Sequence, residues 1–196
     1  MAKRLFDFFF SIIGLVILSP LFIVISLFIA FGSKGGVFYL QKRVGIRNKD
    51  FNIIKFRTMY SGSDKKGLLT IGDHDSRITK TAKWLRKYKL DELPQFFNIL
   101  KGDMSFVGPR PEVRKYVDLY TPEQQLVLTV RPGLTDFASL EYINENEILI
   151  NYPDPEKAYV EIIMPEKLGL NLQYIKEGNL IKDLGIILKT IKRIIS

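Results

Sequence analysis

Residues 5–31 are almost wholly apolar, and no other feature narrows the fold as much. Only Asp7, Ser11, Gly14, Ser19, Pro20 and Ser26 interrupt the run. As a helix it is about 40 Å long, enough to cross a bilayer. A secretory signal would suit the preceding Lys3 and Arg4, but the run is far longer than an h-region and no A-x-A site follows it. The remaining readings are membrane segments. Ser19-Pro20 falls mid-run, where proline removes a backbone donor and disfavours helical geometry at Ser19. Both flanks are basic, with Lys3 and Arg4 before the run and Lys34, Lys42, Arg43, Arg47 and Lys49 after it. By the positive-inside rule both ends then prefer the cytoplasm. A helix-break-helix that dips into one leaflet and returns satisfies both constraints; the alternative is a simple transmembrane anchor, straight or kinked at the proline.

Beyond this segment lie about 160 more polar residues, enough for one domain with a real core. The net charge of +8 favours anionic partners such as acidic lipid or a phosphorylated substrate. The basic residues are scattered, and no zinc-finger or RNP1-like pattern accompanies them, so nucleic acid is not the expected partner. The chain has no cysteine, which excludes disulfides and thiolate metal sites. His74 is the only histidine and sits in a polar stretch, which argues against a His-His zinc site and a Ser-His-Asp triad. No GxxxxGK[ST] loop occurs and no GxGxxG follows a strand.

Short strands are expected over 37–41 and 51–57, joined by a polar connection, and a long Gly-, Ser-, Asp- and Lys-rich loop over 61–77. Helices are expected over 78–89, 91–100, 112–120, 122–130 and 154–176. Pro94 is tolerated only in a first helical turn, which places a helix start at or just before Asp91, and Gly102 supplies the C-cap. Residues 179–195 carry Leu180, Leu184, Ile187, Ile191 and Ile194 on one face, with Lys182, Lys189, Lys192 and Arg193 away from it. That face suits either an anionic membrane surface or the protein's own core. The whole reads as an α/β-mixed domain, predominantly helical with a small β-sheet.

Asp91 and Glu92 carry the clearest chemistry. Carboxylates in a first helical turn are favoured and kept ionised by the helix dipole. An ionised aspartate can attack phosphorus, and its neighbour can help hold Mg²⁺, which takes one or two protein carboxylates plus substrate phosphates. The same pair also serves as a plain helix cap. Pro109-Arg110-Pro111 presents a guanidinium from a stiff segment, suited to bidentate phosphate binding, or forms an exposed turn. Lys55 and Arg57 are two apart on an expected strand and share a face, where they would join the anion site or lie on a solvated edge. Arg86 and Arg131 are further cationic candidates. Asp73-His74-Asp75 matches the bare Asp-x-Asp pattern of metal-using glycosyltransferases, a weak signal in a polar loop.

Several longer stretches carry a resemblance. They are Lys3-Arg4-Leu5-Phe6-Asp7, Ser19-Pro20, Lys55-Phe56-Arg57-Thr58-Met59, Leu90-Asp91-Glu92-Leu93-Pro94-Gln95, Asn98-Ile99-Leu100-Lys101-Gly102-Asp103-Met104-Ser105, Val107-Gly108-Pro109-Arg110-Pro111 and Val130-Arg131-Pro132-Gly133-Leu134-Thr135. In this order the chain resembles, over nearly its whole length, the bacterial sugar transferase family, the small monotopic phosphoglycosyl transferases acting on polyprenyl phosphate.

The resemblance implies a re-entrant membrane helix over 1–32 bent at Ser19-Pro20, a cytoplasmic catalytic domain over 33–196, and a place on the bacterial inner membrane. It implies transfer of a phospho-sugar from a UDP-sugar to undecaprenyl phosphate with release of UMP, as a first membrane step of a surface glycan pathway. Asp91 would be the nucleophile and Glu92 the Mg²⁺ ligand. Arg110 would bind phosphate between Pro109 and Pro111, and Lys55, Arg57, Arg86 and Arg131 would line the site. Two departures stand out: Asp136-Phe137-Ala138-Ser139 where many members read Gly-Trp-Ala-Gln, and Asn171 where an aspartate is usual. The sugar and the pathway are therefore left unassigned, and the oligomeric state stays open, a homodimer included. The rival readings are a glycosyltransferase using Asp73 and Asp75 that releases UDP, and a non-catalytic membrane scaffold.

Overall fold

The computed structural model of the chain describes residues 2–60, 62–63, 75–79, 82–142 and 145–195. Helix α1 (Ala2–Gly32) takes up the apolar run. It is followed by β1 (Phe38–Val44) and β2 (Asp50–Phe56), an antiparallel hairpin pairing Phe38 with Phe56 and Val44 with Asp50. The alternation expected for strands there extends three residues further along β1 than the β-branched and aromatic residues alone suggest. Lys42 and Arg43 continue the strand because each has a cross-strand partner in Asn52 and Phe51.

Helix α1 runs uninterrupted through Ser19 and Pro20, where a break was expected. One proline removes one backbone bond, and a long apolar helix tolerates that loss. The Ser19 hydroxyl donates back to Val16 O at 2.8 Å. The helix packs lengthwise on the rest of the chain. Near its start Arg4 donates to Ile99 O and Leu100 O at 2.6 and 2.9 Å. Buried Asp7 accepts from Ser105 Oγ at 3.0 Å and Phe106 N at 3.1 Å, which explains an acid in so apolar a run. Midway, a Cβ on Gly14 would come within 2.3 Å of the Phe96 ring. Towards the end, Ile25 and Ile29 bury against Phe56 and Leu85. The opposite side stays bare, with Val16 67% and Ile17 70% exposed.

After α2 (Lys83–Lys87) a single 3₁₀ turn, Leu90–Glu92, precedes α3 (Gln95–Lys101). The one helix expected over 91–100 is therefore two pieces, divided at Leu93-Pro94, with Pro94 as the N-cap of α3 and Gly102 its left-handed C-cap at φ 98°. Strand β3 (Ser105–Val107) pairs in parallel with β4 (Gly133–Thr135), a second small sheet formed across a long sequence separation. Between them α4 (Arg114–Val117) and a 3₁₀ turn, Gln124–Thr129, replace the two longer helices expected there. The chain continues through α5 (Phe137–Glu141), α6 (Glu145–Leu149) and α7 (Pro155–Ala158). A π-helical turn, Tyr159–Ile163, leads into α8 (Met164–Glu177), so Pro165 falls in the first turn of that helix. Helix α9 (Leu180–Ile195) closes the chain.

The main core joins Val44, Tyr116, Val117, Leu149, Tyr159, Ile163, Met164 and Leu168. A smaller cluster of Ile53, Ile99 and Met104 ties the hairpin to α3. Asn98 completes that joint: its Oδ1 accepts from Ile54 N at 2.9 Å and its Nδ2 donates to Asn52 O at 2.8 Å. The α3 side chain thus satisfies the outer edge of β2 as another strand would. Helix α9 packs one side inward through Asp183 and Ile186, and Thr190 Oγ1 meets Thr135 Oγ1 at 2.6 Å. Its other side exposes Ile181 (82%), Leu184, Leu188 (66%) and Ile191. The expected apolar face is therefore not the one that enters the core: Leu184 and Ile191 of that face lie exposed, and the helix is seated by Asp183, Ile186 and Thr190 instead.

Candidate active site

Asp91 and Glu92 sit on the 3₁₀ turn between α2 and α3, and both are buried. The turn is entered through Lys89, which adopts a left-handed conformation (φ 53°, ψ 20°). A non-glycine residue there holds the backbone in a sparsely populated region, which reverses the chain and aims the two acids inward. Lys89 O then accepts from Glu92 N at 3.2 Å.

Glu92 Oε1 accepts from two cations, Lys55 Nζ at 3.0 Å and Arg110 Nη2 at 2.7 Å. Glu92 Oε2 has a long contact to Arg110 Nη1 at 3.5 Å. Burial opposes the charge on Glu92, but the Arg110 guanidinium and then Lys55 outweigh it and hold the carboxyl well below its usual range. Asp91 moves the other way. Burial, and then the neighbouring Glu92 charge, raise its pKa, partly offset by Lys55, Arg86 and Lys89. The helix dipole expected to keep Asp91 ionised is slight in a turn of three residues, and desolvation wins. Lys55 is pushed below its ordinary value by burial, with Glu92 pulling up and Arg110 pushing down. The pair is thus uneven, favourable for the Glu92 carboxylate and costly for the Lys55 ammonium, first because that ammonium is buried and then because Arg110 lies beside the same carboxylate. Such an ammonium gains from any further anion.

Arg110 is presented as its prolines suggest, and the segment is bonded on both sides. Gly108 N donates to Thr135 O at 3.1 Å, Gly133 N to Pro109 O at 3.0 Å and Arg110 N to Asp136 Oδ2 at 2.7 Å. Arg43 Nη1 donates to Pro111 O at 3.2 Å and to Glu112 Oε1 at 2.9 Å. The approach of β3 and β4 leaves no room for side chains at two places. A Cβ on Gly108 would lie 2.4 Å from Arg131 O, and one on Gly133 2.2 Å from Gly108 N.

The structure therefore brings together Asp91, Glu92, Lys55 and Arg110, with Pro109 and Pro111 buried on either side of the arginine. Arg86 is half-buried and contributes positive potential at Asp91. Arg57, expected beside Lys55, is committed elsewhere. It lies one residue past the end of β2, its N–H still paired with Val37 O at 2.9 Å, and its guanidinium donates to Ser33 O at 2.9 Å and to Lys34 O just beyond α1. Arg131 is exposed and donates to Gly102 O at 2.8 Å, so it braces the end of α3 rather than touching the acids. Asp73 and His74 lie outside the described residues. Asp75 is described, and its carboxylate is taken by Arg77, Nε to Oδ1 at 2.9 Å and Nη2 to Oδ2 at 2.5 Å. Asn171 is buried in α8, with no hydrogen-bond partner for its Oδ1 among the described residues.

Two residues that shape the site were not singled out from sequence. Asn98 fixes the strand carrying Lys55 against the helix that follows Glu92, and only its place in a motif hinted at it. Asp136 holds Arg110 from behind, and the only signal was its departure from the usual glycine.

Among the described residues no three acids or histidines cluster as a cage for a metal ion. The donor set nevertheless fits Mg²⁺ in its usual manner, with one or two carboxylates and the remaining ligands from substrate and water. Glu92 is firmly ionised, and its Oε2 is only loosely engaged by Arg110.

Comparison with known proteins places the chain among its relatives. A UDP-N-acetylgalactosamine-undecaprenyl-phosphate N-acetylgalactosaminephosphotransferase from Aeromonas hydrophila is 37% identical over 198 residues, covering 99% of this chain but 44% of the relative. Exopolysaccharide production protein ExoY from Rhizobium meliloti is 34% identical, covering 97% of this chain and 84% of the relative. A UDP-glucose:undecaprenyl-phosphate glucose-1-phosphate transferase from Caulobacter vibrioides is 30% identical, covering 99% and 70%. The chain thus spans less than half of the Aeromonas protein and most of the other two. The family model described as bacterial sugar transferase matches residues 1–196, and with these relatives it shows that the chain belongs to the bacterial sugar transferase family.

Proposed function

We propose that the chain is a phosphoglycosyl transferase that moves a sugar-1-phosphate from a UDP-sugar to undecaprenyl phosphate and releases UMP. The observation that carries this reading is the buried Asp91–Glu92 pair with Lys55 and Arg110 meeting on one Glu92 oxygen. Two cations that share one carboxylate have charge to offer a diphosphate. Arg110, on its braced segment, orients the diphosphate, and Lys55 gains the second anion that it lacks. An Asp91 oxygen attacks the phosphorus that bears the sugar, and the bond from that phosphorus to the UMP oxygen breaks. UMP leaves with the electron pair, and the phospho-sugar remains on Asp91 as an acyl phosphate. An oxygen of undecaprenyl phosphate then attacks the same phosphorus, forming the lipid diphosphate-sugar and returning the Asp91 carboxylate. Mg²⁺ held by Glu92 would supply charge neutralisation at the diphosphate. The relatives' names support the donor and acceptor classes, and their different sugars leave this chain's sugar open.

Residues 1–32 form the membrane segment and 33–196 the catalytic domain on the cytoplasmic face of the bacterial inner membrane. Helix α1 is long and apolar enough to span. Two features favour entry into one leaflet from one side. The same domain touches the helix at Arg4, Asp7, Gly14, Ile25 and Ile29, which leaves no free stretch long enough to cross. The basic flanks hold both ends in the cytoplasm. The exposed row Ile181, Leu184, Leu188 and Ile191 on α9 adds an interfacial contact beside Lys182, Lys189 and Lys192.

The test is the nucleotide released from UDP-sugars in the presence of undecaprenyl phosphate, with a search for a phospho-sugar adduct on Asp91. UMP together with the adduct is expected. UDP without UMP would point to sugar transfer alone and end this reading. Full UMP release by Asp91→Asn would remove Asp91 as the nucleophile, and a wild type that releases no nucleotide at all would leave only a scaffold.

A further inference from the structure

Pro109 and Pro111 have no N–H, so Arg110 N–H is the only backbone donor in the three-residue segment that presents the guanidinium. It does not go to a strand carbonyl. Just past β3, Gly108 N continues the pairing to Thr135 O at 3.1 Å, while Pro109 O reaches back to accept from Gly133 N at 3.0 Å. At the next step Asp136 turns away to start α5, and its side chain takes over: Oδ2 accepts from Arg110 N at 2.7 Å. The other oxygen, Oδ1, accepts from Ser139 N and caps α5. At 1% exposure Asp136 has no contact with water to fall back on. The carboxylate therefore extends the β3–β4 ladder by one rung and anchors it to a helix start.

We propose that Asp136 is a positioning residue, its carboxylate fixing the backbone of Arg110 so that the guanidinium reaches Glu92 and an incoming diphosphate. The inference rests on the reading of Arg110 as a diphosphate ligand. A side chain that merely caps α5 would hold the fold and leave Arg110 indifferent to its identity. Asparagine separates the two roles. Its single oxygen can accept from Ser139 N or from Arg110 N but not from both, so activity lost with the melting temperature kept marks the Arg110 bond as the one broken.

The test is a double-mutant cycle in the full-length chain in lipid nanodiscs, with wild type, Asp136→Asn, Arg110→Ala and the double variant. Two readouts are taken: UMP release from UDP-N-acetylgalactosamine or UDP-glucose, and binding of inorganic pyrophosphate by calorimetry. The capping variant Asp154→Ala, remote on α7, controls for loss of a helix cap. Asp136→Asn is expected to lower kcat/KM and pyrophosphate affinity by about 10-fold or more, the scale of a small misplacement of a binding group. Its melting temperature should fall no further than that of Asp154→Ala. In the Arg110→Ala background the same change should add almost nothing. Losses that multiply in the double variant, wild-type behaviour of Asp136→Asn, or a wild type that does not bind pyrophosphate would overturn the inference. If pyrophosphate binding follows the cycle but wild type releases no UMP, the Asp136 inference stands and the proposed reaction falls. If wild type releases UMP but the cycle is additive, the reaction stands and the Asp136 inference falls.

Discussion

Replacing Asp91 by asparagine should abolish turnover and, at neutral pH, make the folded chain more stable. Asp91 is 8% exposed, and no described residue donates a hydrogen bond to its carboxylate. Burial and then the adjacent Glu92 charge both disfavour its ionised form, with only partial relief from Lys55, Arg86 and Lys89. Asparagine keeps the shape and removes the charge. Between the ordinary carboxyl value of 3.8 and the raised folded value, the folded protein holds a proton that the unfolded chain has released. Wild-type stability contributed by this group is therefore full below that window, is lost as pH rises through it, and stays lost above. The variant has no such loss. Its advantage should be near zero at the acid end and level off at about 1 kcal/mol, the usual gain from relieving one unfavourable site. For a chain of this size that is about 2–4 °C in Tm. Thermal unfolding in nanodiscs from about pH 4 to about pH 8 measures the difference, and UMP release should drop by about 10³-fold or more. A variant less stable than wild type at the alkaline end, or a difference that ignores pH, would refute the account of the Asp91 environment.

Three further outcomes follow from the packing. Gly133→Ala drives a Cβ to 2.2 Å from a backbone nitrogen that cannot yield, so β3 and β4 must separate. A loss of about 3 kcal/mol or more is expected, seen as lower folded yield and Tm. Arg57→Met leaves the Ser33 and Lys34 carbonyls unpaired and should cost about 1–3 kcal/mol in denaturant unfolding, with a far smaller effect on kcat/KM than Arg110→Met. Ile181→Glu with Leu188→Glu should weaken flotation with anionic vesicles while leaving Tm nearly unchanged, because both side chains are more than half exposed.

Much of the site could be read from sequence because its residues are local. Asp91 and Glu92 are neighbours, Pro109-Arg110-Pro111 is contiguous, and the proline rules fix how each is presented. The hairpin was legible too, since Phe51, Ile53 and Ile54 mark a strand by their side chains. What stayed hidden depends on partners distant in the chain. The β3–β4 pair has only three residues in each strand and joins segments separated by the whole of α4 and the following turn. No periodicity can show such a pairing. The different fates of Lys55 and Arg57 were hidden as well, because period-2 alternation predicts one face and cannot show that Lys55 meets Glu92 while Arg57 meets the carbonyls of Ser33 and Lys34. Pro94 placed a helix start at or just before Asp91, whereas α3 begins only at Gln95, and nothing in the sequence showed that Asp91 and Glu92 occupy a separate turn before it.

That divergence at the end of β2 has a spatial meaning. Lys55 reaches inward to Glu92, while Arg57 clasps the last carbonyls beyond α1. Two residues of extended chain measure about 7 Å. With α1 in the membrane as proposed, the altitude of the two carboxylates above the lipid would be set by a built-in spacer as short as a dipeptide, instead of by a pliable tether. Bilayers of different thickness or headgroup composition would shift anchor and acids as a unit, and the separation between them would be the same in each.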